Sequence, residues 1–477
     1  MWGHGPHRTF SYPCDTAISP ATVADLRQAW FFNADDTVTA TPAVVDASVY
    51  VGDWSGTFYA LDLETGEPRW TFRAEPRPLL YAGQIVSSAA VADAGGVRTV
   101  YFGGGDTLYA LRAEDGALRW KHRLGEDRDD DPTEIESSPV VVDGIVIVGW
   151  DVHNSSDGEP AGLAALDAAT GEQVWRFETA PRTDGTGPGC GDVWSSPSVD
   201  RERGTVFAGT GNCVLSPEGW GPYAEAVFSV DLHTGASGWV HQPHEPNNDD
   251  NDFAGAPNLF EAGGRALVGL GNKDGVYYAV DRETGELVWS TRAAEPGIPR
   301  PGRDYSTGGF IGPTAVADGV VVGGTAVGGD PYLHAFDAAT GDILWQQPVA
   351  APTYAAAAEA NGVVFIGGTD FTFRALDLRT GEVLWSREVL GAVSGEPWSW
   401  ATTSSCPRGS GSPASRSGPA TAGSTASPWT RGPGRPRPGP RAPASRPPPP
   451  RPRTAWSSSG PASPSGASAS RARSPST

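Results

Sequence analysis

One eleven-residue pattern recurs along the chain and constrains its fold more than any other feature. Its first copy, residues 60–70, reads A-L-D-L-E-T-G-E-P-R-W, and six of the seven copies keep aspartate, threonine and glycine at the same offsets. The second copy departs, with Arg112 and Asp115 at the aspartate and threonine positions. The copies end at Trp70, Trp120, Trp175, Trp239, Trp289, Trp345 and Trp385. The chain is therefore a tandem array of one structural unit.

Each copy predicts a β-hairpin with a tight turn. The aspartate side chain can accept backbone N–H groups two or three residues further on, and the glycine adopts a positive φ at little cost. Two more short apolar runs precede the hairpin in each unit, such as 41–45 and 48–52 in the first. Each unit therefore holds four short strands.

The spacing of the units predicts an all-β fold, a β-propeller of the eight-bladed type. Successive tryptophans from Trp30 to Trp385 lie 40 to 64 residues apart, near the period of a four-stranded blade. Seven blades are complete, and Trp385 would open an eighth that is truncated or disordered. Trp30 would supply the outer strand that this last blade needs for ring closure. An open β-solenoid or stacked sandwiches are the alternative folds.

The composition changes abruptly after the last repeat. From residue 401 onward there is no Val, Leu, Ile, Phe or Tyr, so this part cannot bury a core. We expect a propeller over residues 1–403 and a disordered Pro/Arg/Ser/Ala tail over 404–477. Such a mixture is what an out-of-frame reading of GC-rich DNA would produce; a natural linker or cell-wall tail is the other explanation.

Charge and hydropathy exclude several classes of function. Before residue 401 the chain has 24 basic and 56 acidic residues, a net charge of −32, so nucleic acid is not an expected partner. No run of 18 apolar residues is present, so no membrane span is expected. There is no C-x-x-C-H sequence for attaching a c-type haem, and no signal peptide is visible after Met1.

Polar residues recur where the first strand of a unit begins and where its second strand ends. These two strands are antiparallel, so both positions lie at the same mouth of the ring in every blade, and a propeller binds ligands in such a funnel. The residues expected to share this mouth are Asp151, Trp194, Asn212, Asp252 and Lys273.

The repeats resemble the tryptophan-docking motifs of alcohol dehydrogenases that depend on pyrroloquinoline quinone (PQQ). The N-terminal W-G-H and the segment G-C-G-D-V-W-S-S-P look similar to the polyvinyl-alcohol-dehydrogenase branch of that family. Binding propellers such as the outer-membrane assembly lipoprotein share the repeats. The ordered series G-T-G-N, D-F-A-G and N-K-D-G is more specific to the dehydrogenases.

This resemblance implies a role for each residue at the mouth. Trp194 would be the indole on which the quinone stacks, and Asn212 and Asp252 would be ligands of a Ca²⁺ at the quinone edge. Asp252 would also be the general base. Lys273 would place a cation beside the quinone oxygen that becomes negative on reduction.

The third metal ligand of the family is a glutamate at a strand end, and this chain has no clean match. Asp151 is the first candidate by blade position, followed by Asp157 and Glu159. Other readings stay open for the remaining residues. Trp194 could be an ordinary strand aromatic, Asn212 a turn residue, and the acidic run 249–252 a solvated loop.

Two cysteines flank the predicted site residues. Cys190 lies four residues before Trp194, and Cys213 directly follows Asn212. A disulfide between them would clamp the pocket and would indicate an oxidising compartment. With the family resemblance, this predicts a periplasmic or extracellular protein.

The resemblance implies a quinoprotein oxidoreductase that oxidises a small or polymeric alcohol, including secondary alcohols, by hydride transfer to Ca²⁺-bound PQQ. Its electron acceptor would be a separate protein such as a cytochrome c. The alternatives are a non-catalytic propeller that binds a protein or polymer partner, and a member of the enzyme lineage inactivated by loss of its eighth blade.

Overall fold

The protein is described by a computed structural model over residues 1–12, 17–78, 80, 83–126, 131–152, 161–179, 191–211, 223–245, 250–295, 309–326, 330–393 and 395. Across these residues there are 29 strands and two short 3-10 turns, Trp2–His4 and Val23–Asp25. No helix among them is long and apolar enough to cross a membrane. The predicted all-β class is confirmed.

The strands form seven antiparallel sheets of four consecutive strands, which we number as blades 1 to 7 in chain order. Blade 1 contains β2 (Ala43–Val45), β3 (Ser48–Gly52), β4 (Thr57–Asp62) and β5 (Pro68–Arg73). Blade 2 contains β6 (Ala90–Ala94), β7 (Val97–Gly104), β8 (Thr107–Arg112) and β9 (Leu118–Arg123). Blade 3 contains β10 (Val140–Val142), β11 (Ile145–Trp150), β12 (Gly162–Asp167) and β13 (Gln173–Glu178). Blade 4 contains β14 (Ser198–Asp200), β15 (Thr205–Gly209), β16 (Val227–Asp231) and β17 (Ser237–His241).

The remaining blades have the same order. Blade 5 contains β18 (Asn258–Ala262), β19 (Arg265–Gly271), β20 (Val276–Asp281) and β21 (Leu287–Arg292). Blade 6 contains β22 (Ala315–Ala317), β23 (Val320–Gly324), β24 (Leu333–Asp337) and β25 (Ile343–Gln347). Blade 7 contains β26 (Ala358–Ala360), β27 (Val363–Gly367), β28 (Thr372–Asp377) and β29 (Val383–Glu388). Its inner edge also pairs in parallel with β1 (Ser11–Tyr12).

The first strands of consecutive blades contact one another from blade 1 to blade 7, as in a β-propeller. The propeller prediction is confirmed for seven blades. The expected eighth blade and the tail over 404–477 lie outside the described residues, so both stay predictions, as does the domain boundary at 403.

The repeated turn has the predicted chemistry. Asp62 Oδ1 accepts the backbone N–H groups of Glu64 at 3.0 Å and Thr65 at 2.9 Å, and Gly66 has φ +75°. In the departing second copy, the Arg112 guanidinium instead pairs with the Asp115 carboxylate. The backbone bond from the N–H of Gly116 to the carbonyl of Arg112, at 2.9 Å, is retained in this copy.

Among the described contacts, each repeat tryptophan from Trp70 to Trp345 joins its blade to the next. Trp70 Nε1 donates to the carbonyl of Ala113 in blade 2 at 3.0 Å, and its ring covers the turn glycine Gly116. A Cβ on Gly116 would lie 2.6 Å from the Trp70 ring, so only glycine allows this contact. The same indole-to-carbonyl bond is made by Trp30, Trp120, Trp175, Trp239, Trp289 and Trp345.

Serine hydroxyls join the first four blades around the axis. The backbone N–H of Thr41 donates to Ser88 Oγ at 2.8 Å, that of Ser88 to Ser138 Oγ at 2.9 Å, and that of Ser138 to Ser196 Oγ at 2.8 Å. The repeated S-S motif therefore fixes one blade against the next at the channel wall.

The first twelve residues form an arm that lines the central channel, which the sequence did not predict. Backbone carbonyls of the arm accept N–H groups from the first strands of blades 4 to 7, pairing Pro6 with Val199, His7 with Leu259, Thr9 with Val316 and Phe10 with Glu359 at 2.7–2.9 Å. The Arg8 side chain is fully buried and donates to the carbonyls of Pro197 at 3.1 Å and Ser138 at 2.9 Å. The arm therefore joins five blades.

Candidate active site

Backbone hydrogen bonds bring the two predicted mouth positions together in three successive blades. Glu134 and Asp151 exchange N–H···O bonds of 3.0 and 3.1 Å in blade 3. In blade 4, the N–H of Gly211 donates to the carbonyl of Asp192 at 2.8 Å. In blade 5, the N–H of Lys273 donates to the carbonyl of Asp252 at 3.0 Å. Side chains from these positions therefore meet at one end of the ring.

Lys273 is the centre of a buried polar cluster. Its Nζ donates to Asp252 Oδ2 at 2.7 Å and to Asp250 Oδ1 at 2.9 Å. The same Nζ lies 4.9 Å from the centroid of the Trp194 ring, within the range of a cation–π contact. The structure thus places Trp194, Asp252 and Lys273 side by side.

The two carboxylates keep the lysine charged. Burial alone would lower the pKa of Lys273, but the negative charges of Asp252 and Asp250 outweigh burial and raise it. Burial, and then the charge of Asp252, raise the pKa of Asp250. The cluster therefore contains a permanent cation beside the indole.

Trp194 and Asp252 both pack closely against Gly211. A Cβ at this position would lie 3.2 Å from Trp194 Nε1 and 3.3 Å from Asp252 Cγ. Any larger residue would thus crowd both the indole and the carboxylate. Asn212 directly follows Gly211 but lies outside the described residues. Asp157, Glu159, Cys190 and Cys213 also lie outside the described residues, so the predicted disulfide stays a prediction.

Other buried groups hold the segment that carries Asp250 and Asp252. Glu225 Oε1 accepts the N–H of Asn251 at 3.0 Å, and Asn272 Nδ2 donates to the carbonyl of Asn251 at 2.7 Å. Because Asn251 is bound from both sides, the two flanking aspartates are fixed in position against Lys273.

Asp151 belongs to a different cluster, which we call the blade-3 carboxylates: Glu134, Glu136 and Asp151. Oxygen atoms of these three side chains lie within 4.8 Å of one another. Neither glutamate was predicted from the sequence. A signal for Glu136 was present, because it precedes S-S-P in blade 3 just as Trp194 precedes S-S-P in blade 4.

An axial cavity of about 170 Å³ is lined by both Trp194 and Glu136. Every blade contributes the equivalent residue to its wall: Thr39, Val86, Glu136, Trp194, Ala254, Ile311 and Tyr354. Trp2 of the N-terminal arm also lines it, and Trp2 Nε1 donates to Thr41 Oγ1 at 3.0 Å. Trp194 and Glu136 are therefore neighbours around one channel.

A match to a known family model identifies the family to which this chain belongs. A family model described as the β-propeller domain of glucose, ethanol and alcohol dehydrogenases matches residues 2–300. The chain belongs to this PQQ-dependent dehydrogenase family. A second model, that of the outer membrane protein assembly factor BamB, matches residues 272–396 of this PQQ-family chain.

Two similar proteins are matched over only part of their own length. A polyvinylalcohol dehydrogenase from Pseudomonas sp is 27% identical over 435 residues, which cover 78% of this chain and 65% of the relative. A quinohemoprotein alcohol dehydrogenase from Comamonas testosteroni is 30% identical over 312 residues, covering 57% of this chain and 43% of the relative. The matched region thus spans 65% of the first relative and 43% of the second.

Solved structures share the fold of the PQQ-family chain. The quinohemoprotein alcohol dehydrogenase of Comamonas testosteroni superposes with a TM-score of 0.69 at 22% identity, covering 84% of this chain and 74% of that one. A europium-containing methanol dehydrogenase gives a TM-score of 0.67 at 20% identity, covering 83% of this chain and 86% of that one.

Proposed function

We propose that this protein is a quinoprotein oxidoreductase that oxidises an alcohol by hydride transfer to PQQ. The observation that supports this most directly is the arrangement of Lys273, whose ammonium group contacts Asp252 and lies over the ring of Trp194. Each of these residues has the chemical role that such a reaction needs.

The residues present fit a flat, anionic aromatic cofactor. Trp194 is only partly buried and offers an indole face, and Gly211 leaves space beside it that a Cβ would fill. Lys273 supplies a fixed positive charge at the edge of that face. Stacking and charge together would orient a planar quinone.

The side chains at the mouth can perform the proton and charge steps. When bound, PQQ would accept the hydride from the alcohol carbon. The Asp252 carboxylate would take the proton of the substrate hydroxyl. Lys273 would stabilise the negative charge that develops at the cofactor edge, since its ammonium group is already held there by Asp250 and Asp252.

A Ca²⁺ ion is part of the proposal. Asn212, Asp252 and Asp151 supply the hard oxygen atoms that Ca²⁺ prefers, and the ion would polarise the carbonyl that receives the hydride. Asp252 Oδ2 accepts the hydrogen bond from Lys273 Nζ, which holds this carboxylate at the mouth. Asp151 has a buried Oδ1 without a hydrogen-bond partner in the described residues.

The remaining assignments follow the family. We propose an alcohol substrate, including secondary and polymeric alcohols, because two similar proteins are named polyvinylalcohol dehydrogenases. A separate electron acceptor such as a cytochrome c would reoxidise the cofactor. A periplasmic or extracellular location is proposed with it.

We also propose that the ring has eight positions. In a closed seven-bladed ring, Trp385 of blade 7 would cover the turn glycine of blade 1. Instead Trp30 covers that glycine, Gly66, and Trp30 Nε1 donates to the Leu63 carbonyl at 2.9 Å. This contact supports a further blade, whose outer edge would include Trp30.

Titration of the purified protein with PQQ, with and without Ca²⁺, tests the function through absorbance and tryptophan quenching. The protein as it exists would be compared with a form that ends near residue 403 and a form with a restored eighth blade. We expect saturable, Ca²⁺-dependent binding that is lost in Trp194→Ala and Asp252→Asn.

The outcomes separate the alternatives. If even the restored form does not bind PQQ, the proposed function is wrong and a propeller that binds a protein or polymer partner replaces it. Binding by the restored form alone would mean that this chain is an inactivated member of the enzyme lineage.

A further inference from the structure

The blade-3 carboxylates are held close together by the backbone. Glu134 and Asp151 form an isolated antiparallel bridge, so their Cα atoms lie side by side on neighbouring segments. Glu136 is two residues after Glu134, and residues at this spacing in an extended segment point to the same side. Three negative side chains therefore share one small volume next to the axial cavity.

Two oxygen atoms in this cluster lack the partners that buried carboxylates need. Asp151 is 1% exposed, and its Oδ1 accepts no hydrogen bond from any residue that the structure describes. The buried Oε1 of Glu136 likewise accepts no hydrogen bond from the described residues. Burying a carboxylate oxygen without a partner costs free energy, so the fold has a reason to supply a cation here.

The pKa values of the cluster show that its carboxyl groups ionise with difficulty when no cation is bound. Burial, and then the charges of Glu134, Glu136 and Asp192, raise the pKa of Asp151. Burial also raises the pKa of Glu136, and the more distant charge of Lys273 only partly opposes it. Lys273 itself is already bound by Asp250 and Asp252. Ionising all three carboxyl groups together is therefore costly unless a cation lies between them.

The dimensions suit a single ion. Ca²⁺ binds oxygen ligands at about 2.3–2.6 Å, so two ligands on one ion are at most about 5 Å apart. The three side-chain oxygens lie within 4.8 Å of one another. One ion can therefore contact all three carboxylates with little movement of the backbone.

We propose that Glu134, Glu136 and Asp151 together hold a hard divalent cation of the Ca²⁺ type. Blade 3 would then contribute three carboxylates to the metal rather than Asp151 alone. This inference rests on the proposed function for the role of the ion beside the quinone, but binding of the ion can be measured without PQQ.

Calcium binding to the full, metal-stripped chain without PQQ tests the proposal. Titration calorimetry would measure affinity for Ca²⁺, and Tb³⁺ luminescence sensitised by tryptophan would report the same site. We expect one site per chain and at least a tenfold loss of affinity in Glu134→Gln and in Glu136→Gln. Glu359→Gln is the matched control, because Glu359 is a buried first-strand carboxylate of blade 7 with its own partners, Ser11 and Gly362.

Thermal melting distinguishes a loss of Ca²⁺ binding from a loss of folding in these variants. Glutamine keeps the shape of glutamate and removes the repulsion, so metal-free Glu136→Gln should melt at or above the wild-type temperature. Calcium should raise the melting temperature of the wild type and of Glu359→Gln, but not that of Glu136→Gln.

Two results would overturn the proposal: Ca²⁺ affinity unchanged in both glutamate variants, or no Ca²⁺ binding by the metal-stripped wild type. Calcium binding that persists while PQQ fails to bind would reject the proposed function and leave the cation site standing.

Discussion

Lys273 is one of two lysines in a chain with 33 arginines, and its position explains why an ammonium group is present there. An ammonium group has three donors on a compact head, whereas a guanidinium is a broad planar fork. Two of the donors reach Asp250 and Asp252 while the group stays against the Trp194 ring. A guanidinium would need more of the space in which the quinone is proposed to lie.

The two aspartates on Lys273 should differ in function although their surroundings are alike. Asp252 is 4% exposed and Asp250 is 5% exposed. We predict that Asp252→Asn lowers dye-linked alcohol oxidation by about 10²–10⁴-fold, the usual contribution of a general base. Asp250→Asn should lower it by about tenfold or less, because Asp252 remains. Equal losses in steady-state rate, with unchanged circular dichroism, would contradict the assignment of Asp252.

His334 makes a separate contribution to stability. Its ring is fully buried, with Nε2 3.1 Å from Thr325 Oγ1 and Nδ1 3.0 Å from Gln346 Nε2, and burial lowers its pKa to about 4. The unfolded chain binds a proton below pH 6.5 that the folded chain does not, so stability falls as the pH drops from 6.5 towards 4.

We predict that this histidine removes about 2 kcal/mol of unfolding free energy between pH 7.5 and pH 5. His334→Gln should lose that part of the pH dependence, as measured by urea unfolding at the two pH values. Other buried histidines titrate equally in both proteins and cancel in the comparison. Parallel pH profiles for the two proteins would show that His334 does not titrate as described.

At the scale of the blade, the turn glycine and the tryptophan of the preceding blade act as one unit. In blade 5, Gly285 has φ +73° and lies under the Trp239 ring, while Gly264 has φ +77° and nothing within 4 Å of a built Cβ. The two glycines therefore share a backbone conformation and differ only in the indole contact.

Alanine at these two positions should separate backbone strain from packing. Gly264→Ala should cost about 1 kcal/mol, because only the left-handed conformation is strained. Gly285→Ala should cost about 3 kcal/mol or more, since its Cβ would also lie 2.6 Å from the Trp239 ring. Chemical unfolding measures both, and similar values for the two variants would mean that the indole contact contributes little.

At the scale of the whole molecule, the N-terminal arm links blades that are far apart in sequence. Arg8 is fully buried and donates to carbonyls of blades 3 and 4, while its neighbours in the arm reach blades 5, 6 and 7. The arm also brings Trp2 to the wall of the axial cavity. Its packing should therefore affect both the stability of the ring and the shape of the pocket.

We predict that Arg8→Ala lowers the free energy of unfolding by about 3 kcal/mol or more, because several buried carbonyls lose a charged donor. Arg27→Ala is the control, since exposed Arg27 bonds only to carbonyls of its own loop, those of Ala24 and Leu26, among the described contacts. Arg27→Ala should change stability by less than about 0.5 kcal/mol. Equal melting temperatures for the two variants would show that the arm does not brace the ring.

The repeat pattern by itself determined the blades, their turns and the residues that meet at the mouth. Each blade is a local unit whose apolar alternation, aspartate–threonine–glycine turn and docking tryptophan lie within about 50 residues, near the length of a blade. Pseudo-symmetry then places equivalent positions at the same end of the ring. For this reason the neighbourhood of Trp194, Asp252 and Lys273 could be predicted without coordinates.

Which side chains surround those positions depends on how the complete ring packs. The blade-3 carboxylates depend on the register of one bridge, and the arm depends on contacts between residues 6–10 and strands more than 180 residues away. Neither follows a repeat period, because both arise from the packing of unlike segments around the channel. Local periodicity specifies elements, whereas the charge balance of a buried site depends on the groups that the completed ring brings together.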